Sequence, residues 1–292
     1  MAVLPAFLAE FAFYMVPGFE RVRKAFDRSA PKPVRAALLA ASAVLPYLIE
    51  SPRTGTFRFS SFLILLAVVL VVSFWYEQIR RSVPADLLFL AFIAAVYLSK
   101  IFDQIYGHPA AHVPLGILGK LMWIRLSVMA VLSLRSIQLV RFGFVPSPAE
   151  WRVGGLLYVC FLPVGGGLGY LLRFAQFHPP ELEPWKLALL LIGTFLAFLW
   201  VVALFEEFFF RGLLQSLLAH VFQSQALGLI AASLLFGLAH LAFHPFPNWR
   251  FAIIGAVSGV FYGLAFLKAK SVRASMVTHA LVVTTWRVFF AG

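Results

Sequence analysis

The feature that most constrains this chain is a succession of apolar runs long enough to cross a lipid bilayer. A crossing needs about 20 apolar residues, and the stretches that meet or approach that length are 34–49, 59–79, 84–101, 113–134, 153–173, 187–220, 224–243, 251–268 and 274–291. The expectation is an all-α, polytopic helical membrane protein with about eight or nine transmembrane helices. Composition agrees: 62% of the 292 residues are hydrophobic and 12% charged, with a mean hydropathy of +0.90. A soluble domain carries about twice that charged fraction, so a water-soluble enzyme, a disordered chain and a fibrous one are excluded. The run 187–220 would be about 50 Å long against a hydrocarbon core of about 30 Å, so it must tilt, kink or begin outside the core.

The chain holds 24 Lys and Arg against 12 Asp and Glu, a net charge of +12. In a soluble protein this would point to nucleic acid. Here the cations lie mostly in short segments between apolar runs, as in loops facing an anionic leaflet, and no nucleic-acid partner is expected. Alternate segments starting from the N-terminus collect fifteen cations: six at positions 21–35, then Arg80, Arg81, Arg135, Arg141, Arg152, Arg211, Lys268, Lys270 and Arg273. The opposite segments collect seven. By the positive-inside rule the N-terminus is cytoplasmic, and the expected location is a bacterial or archaeal type of inner membrane.

Residues 1–33 read as an apolar, interfacial or re-entrant segment followed by a basic stretch, and not as a signal peptide, because the cations follow the apolar part. An N-terminal helical membrane region spans 34–173, and a C-terminal one, 174–292, begins at a loop containing Pro179, Pro180 and Pro184. Cys160 is the one cysteine, expected as a buried bystander. Gly165–Gly166–Gly167–Leu168–Gly169 lacks the Lys-Ser/Thr of a phosphate loop and reads as a close-packing or kink site. Gly255, Gly259 and Gly263, spaced by four, give a small-residue face for tight packing against a neighbouring helix.

Ionisable residues inside apolar runs carry the functional information, because burying a charge is costly unless it is paired or lines a wet cavity. Glu206–Glu207–Phe208–Phe209–Phe210–Arg211 lies in the longest run. On a helix Glu207 and Arg211 are i,i+4 neighbours that neutralise each other, whereas Glu206, about 100° around the axis, has no intrahelical cationic partner. His240 follows Phe236 by four residues near the end of the next run. Counted along the helices on either side of the turn at Ser224–Gln225, Glu206 and His240 lie at similar distances from it, so they are level. His279 begins the last run, about 9–14 Å past the basic loop, shallower than Glu206 unless that loop dips or the helices tilt. A desolvated carboxylate beside imidazoles can act as general base on a water, with the imidazoles positioning it or stabilising an oxyanion. The same Glu206, His240 and His279 also form a His2Glu set of the kind that binds zinc and leaves a position for water. The sequence requires no cofactor and leaves zinc open.

Glu206, Glu207 and Arg211 as EExxxR, Phe236 and His240 as FxxxH, and the late His279 resemble the CAAX-prenyl-protease and bacteriocin-processing family of intramembrane proteases. The resemblance covers about 187–292. It implies an intramembrane endopeptidase acting on a membrane-embedded or lipid-modified peptide, with Glu206 activating water, Glu207 and Arg211 in support, and His240 and His279 orienting the water and the scissile carbonyl. The family tends to place Asn or a small residue four positions after the last His. Here that residue is Val283, leaving Thr278, Thr284 or Thr285 as substitute donors.

Other readings stand beside this one. The Glu pair could be structural, and His240 or His279 an interior hydrogen-bonded histidine. His244, one turn beyond His240, could face the same cavity but fits a loop better. At the level of the whole chain, a catalytically inactive membrane scaffold or immunity-type binding protein is the alternative to a protease, and a proton-relaying transporter is the third reading.

Overall fold

The computed structural model describes residues 3–107, 114–136, 141–243 and 245–291. Among these, seven helices are long and apolar enough to cross a membrane and two shorter ones are apolar. The protein is an integral, multi-pass, all-α membrane protein. It divides into two compact units, Met1–Gln138 and Leu139–Gly292. This division precedes the apolar run 153–173, whereas the sequence reading divides the membrane region after it.

The first unit comprises α1 (Leu4–Gly18), α2 (Glu20–Ser29), α3 (Lys32–Thr54), α4 (Phe59–Gln78), α5 (Val83–Leu98), the short α6 (Ile101–Ile105) and α7 (Gly116–Arg135). The apolar N-terminal stretch is α1, which packs on α3 and α7. Glu10 of α1 is buried and accepts two bonds from Arg125 of α7, from Nε at 2.7 Å and Nη2 at 3.0 Å. Arg125 also donates to the Ser42 hydroxyl and carbonyl on α3. A buried guanidinium needs this degree of partnering to offset its desolvation. Lys120, the other cation of that run, pairs with Asp103 at 2.9 Å.

The second unit comprises α8 (Pro148–Leu171), α9 (Pro184–Val221), α10 (Gln225–Ala242), α11 (Trp249–Ala269) and α12 (Val272–Phe289), with β1 (Gln176–Phe177) pairing antiparallel to β2 (Phe290–Ala291). Sequence sets the helix starts. The side chains of Ser147, Ser224, Asn248 and Ser271 accept the first-turn N–H groups of α8, α10, α11 and α12, and Ser147 forms a capping box with Glu150. Helix α12 is not among the seven apolar spans, and its burial explains why. It packs on α8, α9 and α11 and buries Ser275, Thr278, His279 and Thr284, so protein surrounds the polar residues that lower its hydropathy.

Helix α9 runs unbroken for 38 residues. Within it the backbone widens to π-helix over Phe198–Ala203 and again over Phe208–Gln215, leaving Leu204–Glu207 as one α-helical turn between them. Single π-helical turns are frequent at functional sites. Two expectations fail on α8. Cys160 is exposed, not buried. The 165–169 run does not serve close packing: a Cβ at Gly166, Gly167 or Gly169 would meet nothing within 4 Å, and the atoms nearest to one at Gly165 belong to Phe161 of the same helix.

Candidate active site

The site is assembled by α9, α10, α11 and α12. Arg211 is fully buried and Nε donates to Glu207 Oε2 at 3.0 Å across one helical step. The charge count by alternate segments puts it with the loop cations, but it is interior and belongs to neither aqueous face. Glu207, also fully buried, has two further partners, both on α12: the Ser275 hydroxyl on Oε2 and His279 Nδ1 on Oε1 at 2.8 Å. Three donors therefore hold one carboxylate. A carboxylate facing a guanidinium accepts, so the proton of the His279 bond sits on Nδ1, and Nε2 is the nitrogen that Glu207 leaves unused.

Glu206 is placed differently. Its side chain is 41% exposed, and Oε2 lies 3.9 Å from His279 Nε2. That separation is too long for a direct hydrogen bond. The adjacent glutamates thus divide: Glu207 is locked inside the unit and Glu206 presents its carboxylate toward the free nitrogen of His279. His279 is not too shallow to reach it: its Nε2 lies 3.9 Å from the Glu206 carboxylate, and the turn before it is tied into the unit. Ser271 and Val272 are fully buried, and the Ser271 hydroxyl donates to Glu150 of α8.

Phe236 is the hub of the aromatic packing. Its ring lies against those of Phe210, Tyr262, His240 and His279 at centroid distances of 5.0, 5.9, 4.7 and 5.8 Å, with Arg211 Cζ 5.1 Å from its centroid. Its carbonyl accepts from His240 Nδ1 at 2.7 Å, so the FxxxH spacing both packs the imidazole and fixes its tautomer, with Nε2 left over. His240 and His279 flank the Phe236 ring on the same site. Tyr262 of α11 stacks on His279 at 4.5 Å and 12°.

The glycine stripe of α11 does what its spacing implies. A Cβ at Gly255 would stand 3.2 Å from His240 Nδ1, one at Gly259 3.3 Å from Arg211 Nη2, and one at Gly263 2.6 Å from Gln215 Oε1. Three polar side chains from α9 and α10 therefore lie on this bare face.

The substitute donors are placed as follows. Thr278 donates to the Gly154 carbonyl of α8 at 3.0 Å, and the Thr285 hydroxyl bonds that of Tyr158 at 2.7 Å. Thr284 Oγ1 is buried without a partner, and Val283 offers no donor. His244 lies outside the described residues. Among the described residues no group of three His, Cys, Asp or Glu side chains is arranged to hold a metal ion. As placed, Glu206, His240 and His279 do not form a closed ligand set.

Ser275, Tyr262 and Gln215 escaped the sequence reading. Ser275 shares a helix face with His279, four residues on, and that spacing was the available signal. Tyr262 and Gln215 had none beyond their place near the glycines and the EExxxR motif.

Residues 187–285 match the family model described as type II CAAX prenyl endopeptidase Rce1-like. Over this segment the chain is similar to the CAAX protease family. No curated protein and no solved structure matches the chain. The Rce1-like segment lies wholly within the second unit and contains every residue of EExxxR and FxxxH together with His279.

Proposed function

We propose that this protein hydrolyses a peptide bond of a membrane-associated peptide, lipid-modified or hydrophobic, with Glu206 as the general base. The observation that carries this is the unequal placement of the two glutamates. Glu207 spends its oxygens on Arg211, Ser275 and His279, while Glu206 faces His279 Nε2 at 3.9 Å. A water between them gives one proton to Glu206 and donates the other to the Nε2 lone pair, which turns its own lone pair toward a scissile carbonyl. Attack forms a tetrahedral oxyanion; the proton on Glu206 then passes to the leaving amine as the C–N bond breaks. His240 borders the site through Phe236. With Nδ1 donating to the Phe236 carbonyl, its Nε2 is left to accept from the attacking water, alongside that of His279, and orient it.

No metal is assigned to this reaction. Zinc would call on Glu206, His240 and His279 as ligands, and their placement gives no step to route through it. Cleavage is expected to survive chelation.

The test is cleavage of fluorogenic prenylated and hydrophobic peptides by purified protein beside Glu206→Gln. A general base contributes roughly 10²–10⁴ in rate, so the variant is expected to lose at least two orders of magnitude while its thermal midpoint stays put. An active Glu206→Gln variant would overturn the assignment. The scaffold reading is favoured by one observation: Val283 lacks a donor and Thr278 and Thr285 are engaged elsewhere, which leaves Thr284 as the one substitute without a partner. It predicts no cleavage by wild type across the panel.

A further inference from the structure

The second unit has a basic end that its own acids do not neutralise. Ser271 Oγ bridges the Arg141 carbonyl and the Glu150 carboxylate, so the start of α8 and the α11–α12 turn meet there. Glu150 is taken by Arg273 at 2.9 Å. Arg141, Arg152, Lys268 and Lys270 are exposed at this same end, and among the described residues none of the four is in an ion pair. Beside them, α8 and α11 leave a cavity of about 420 Å³ lined by Leu157, Leu264, Leu267 and Lys268. Its walls are three leucines with a single ammonium. Neither the active site nor the EExxxR motif uses any of these residues.

We propose that this cavity is a binding site for an anionic phospholipid, one acyl chain lying on Leu157, Leu264 and Leu267 and the phosphate held by Lys268, with Arg152 and Lys270 adding to the field. Charge selects the occupant. An apolar slot at the edge of a membrane helix pair accepts any acyl chain, but Lys268 in its lining and the further unpaired cations at the same end of the unit favour a negative headgroup. Each Lys or Arg near a headgroup strengthens such binding by about fivefold. A peptide backbone finds no hydrogen-bonding partner among the leucines.

Native mass spectrometry of the full chain in uncharged detergent tests this, with equimolar phosphatidylglycerol and phosphatidylcholine of the same acyl chains. Wild type is expected to retain phosphatidylglycerol about tenfold or more over phosphatidylcholine. Lys268→Gln and Arg152→Gln, both surface changes, should each lower phosphatidylglycerol retention about fivefold and leave phosphatidylcholine unchanged. Leu264→Trp, which fills the slot, should lower retention of both. Equal retention of the two lipids, or phosphatidylglycerol retention indifferent to Lys268→Gln or to Leu264→Trp, overturns the proposal. A farnesylated peptide that displaces phosphatidylglycerol at equal concentration also overturns it and makes the slot a seat for a substrate's lipid.

Discussion

Two neighbouring glutamates with the same chemistry should respond to substitution in opposite ways. Glu207→Gln leaves Arg211 buried without its counter-charge, and breaking such a pair from one side costs about 3–5 kcal/mol. It should lower the thermal midpoint in detergent and the yield of folded protein. Glu206→Gln, at a half-exposed carboxylate, should leave stability unchanged and remove cleavage. Equal stability loss in both variants would mean that the two carboxylates share one structural role. Gln215 behaves in a third way. Both its amide atoms are buried without a partner, and leaving polar groups unsatisfied costs about 1–3 kcal/mol. Gln215→Leu should therefore be neutral or stabilising by about 1 kcal/mol, measured by thermal unfolding; a clear loss of stability would reveal a bond that the amide makes. The Glu207–Arg211 pair was legible because both partners sit one turn apart on one helix. Ser275 and Tyr262 were not, because the groups they meet lie on other helices and no local pattern marks which of many serines and tyrosines packs inward.

Helix contacts decide which glycines matter. A Cβ at Gly237 would press on the Ala252 carbonyl and stand 2.8 Å from the Ala256 amide, both backbone atoms of α11. Gly237→Ala must therefore separate α10 from α11, at a cost of about 1–3 kcal/mol, and it moves the segment that carries Phe236 and His240. Gly166→Ala on α8 meets nothing within 4 Å and removes a helix-interior glycine, so it should be neutral or stabilising by about 0.5–1 kcal/mol. Thermal midpoints of the two variants measure this difference; equal midpoints would show that α10 and α11 do not press together at Gly237. The spacing of Gly255, Gly259 and Gly263 revealed a packing face, since period four is the sequence form of one helix face. The 165–169 run misled, because a cluster of glycines says nothing about whether a partner helix stands opposite. The π-helical turns around Glu206 were illegible, because residues that favour α-helix also fill π-helix.

At the scale of the molecule, apolar run length alone sufficed for the class, because hydrocarbon leaves the backbone few alternatives. Run length does not say which helices share a core, and α8 joins the second unit although its sequence resembles that of the preceding spans. Orientation rests on charge. With Arg211 removed to the interior, the N-terminal side still carries twice as many loop cations as the other, a bias of the kind that holds such segments on the cytoplasmic side. Within the second unit, the two ends are marked by Lys270 at the α11–α12 turn and by Phe177, whose strand pairs with Phe290–Ala291 beyond α12. In a chain freed of its native thiol by Cys160→Ala and expressed in a bacterial inner membrane, a membrane-impermeant maleimide added from outside should label F177C and spare K270C until the cells are opened. The reverse pattern would place the basic end outside. The lipid slot would then face the outer leaflet, and the cation bias of the chain would not be what orients it.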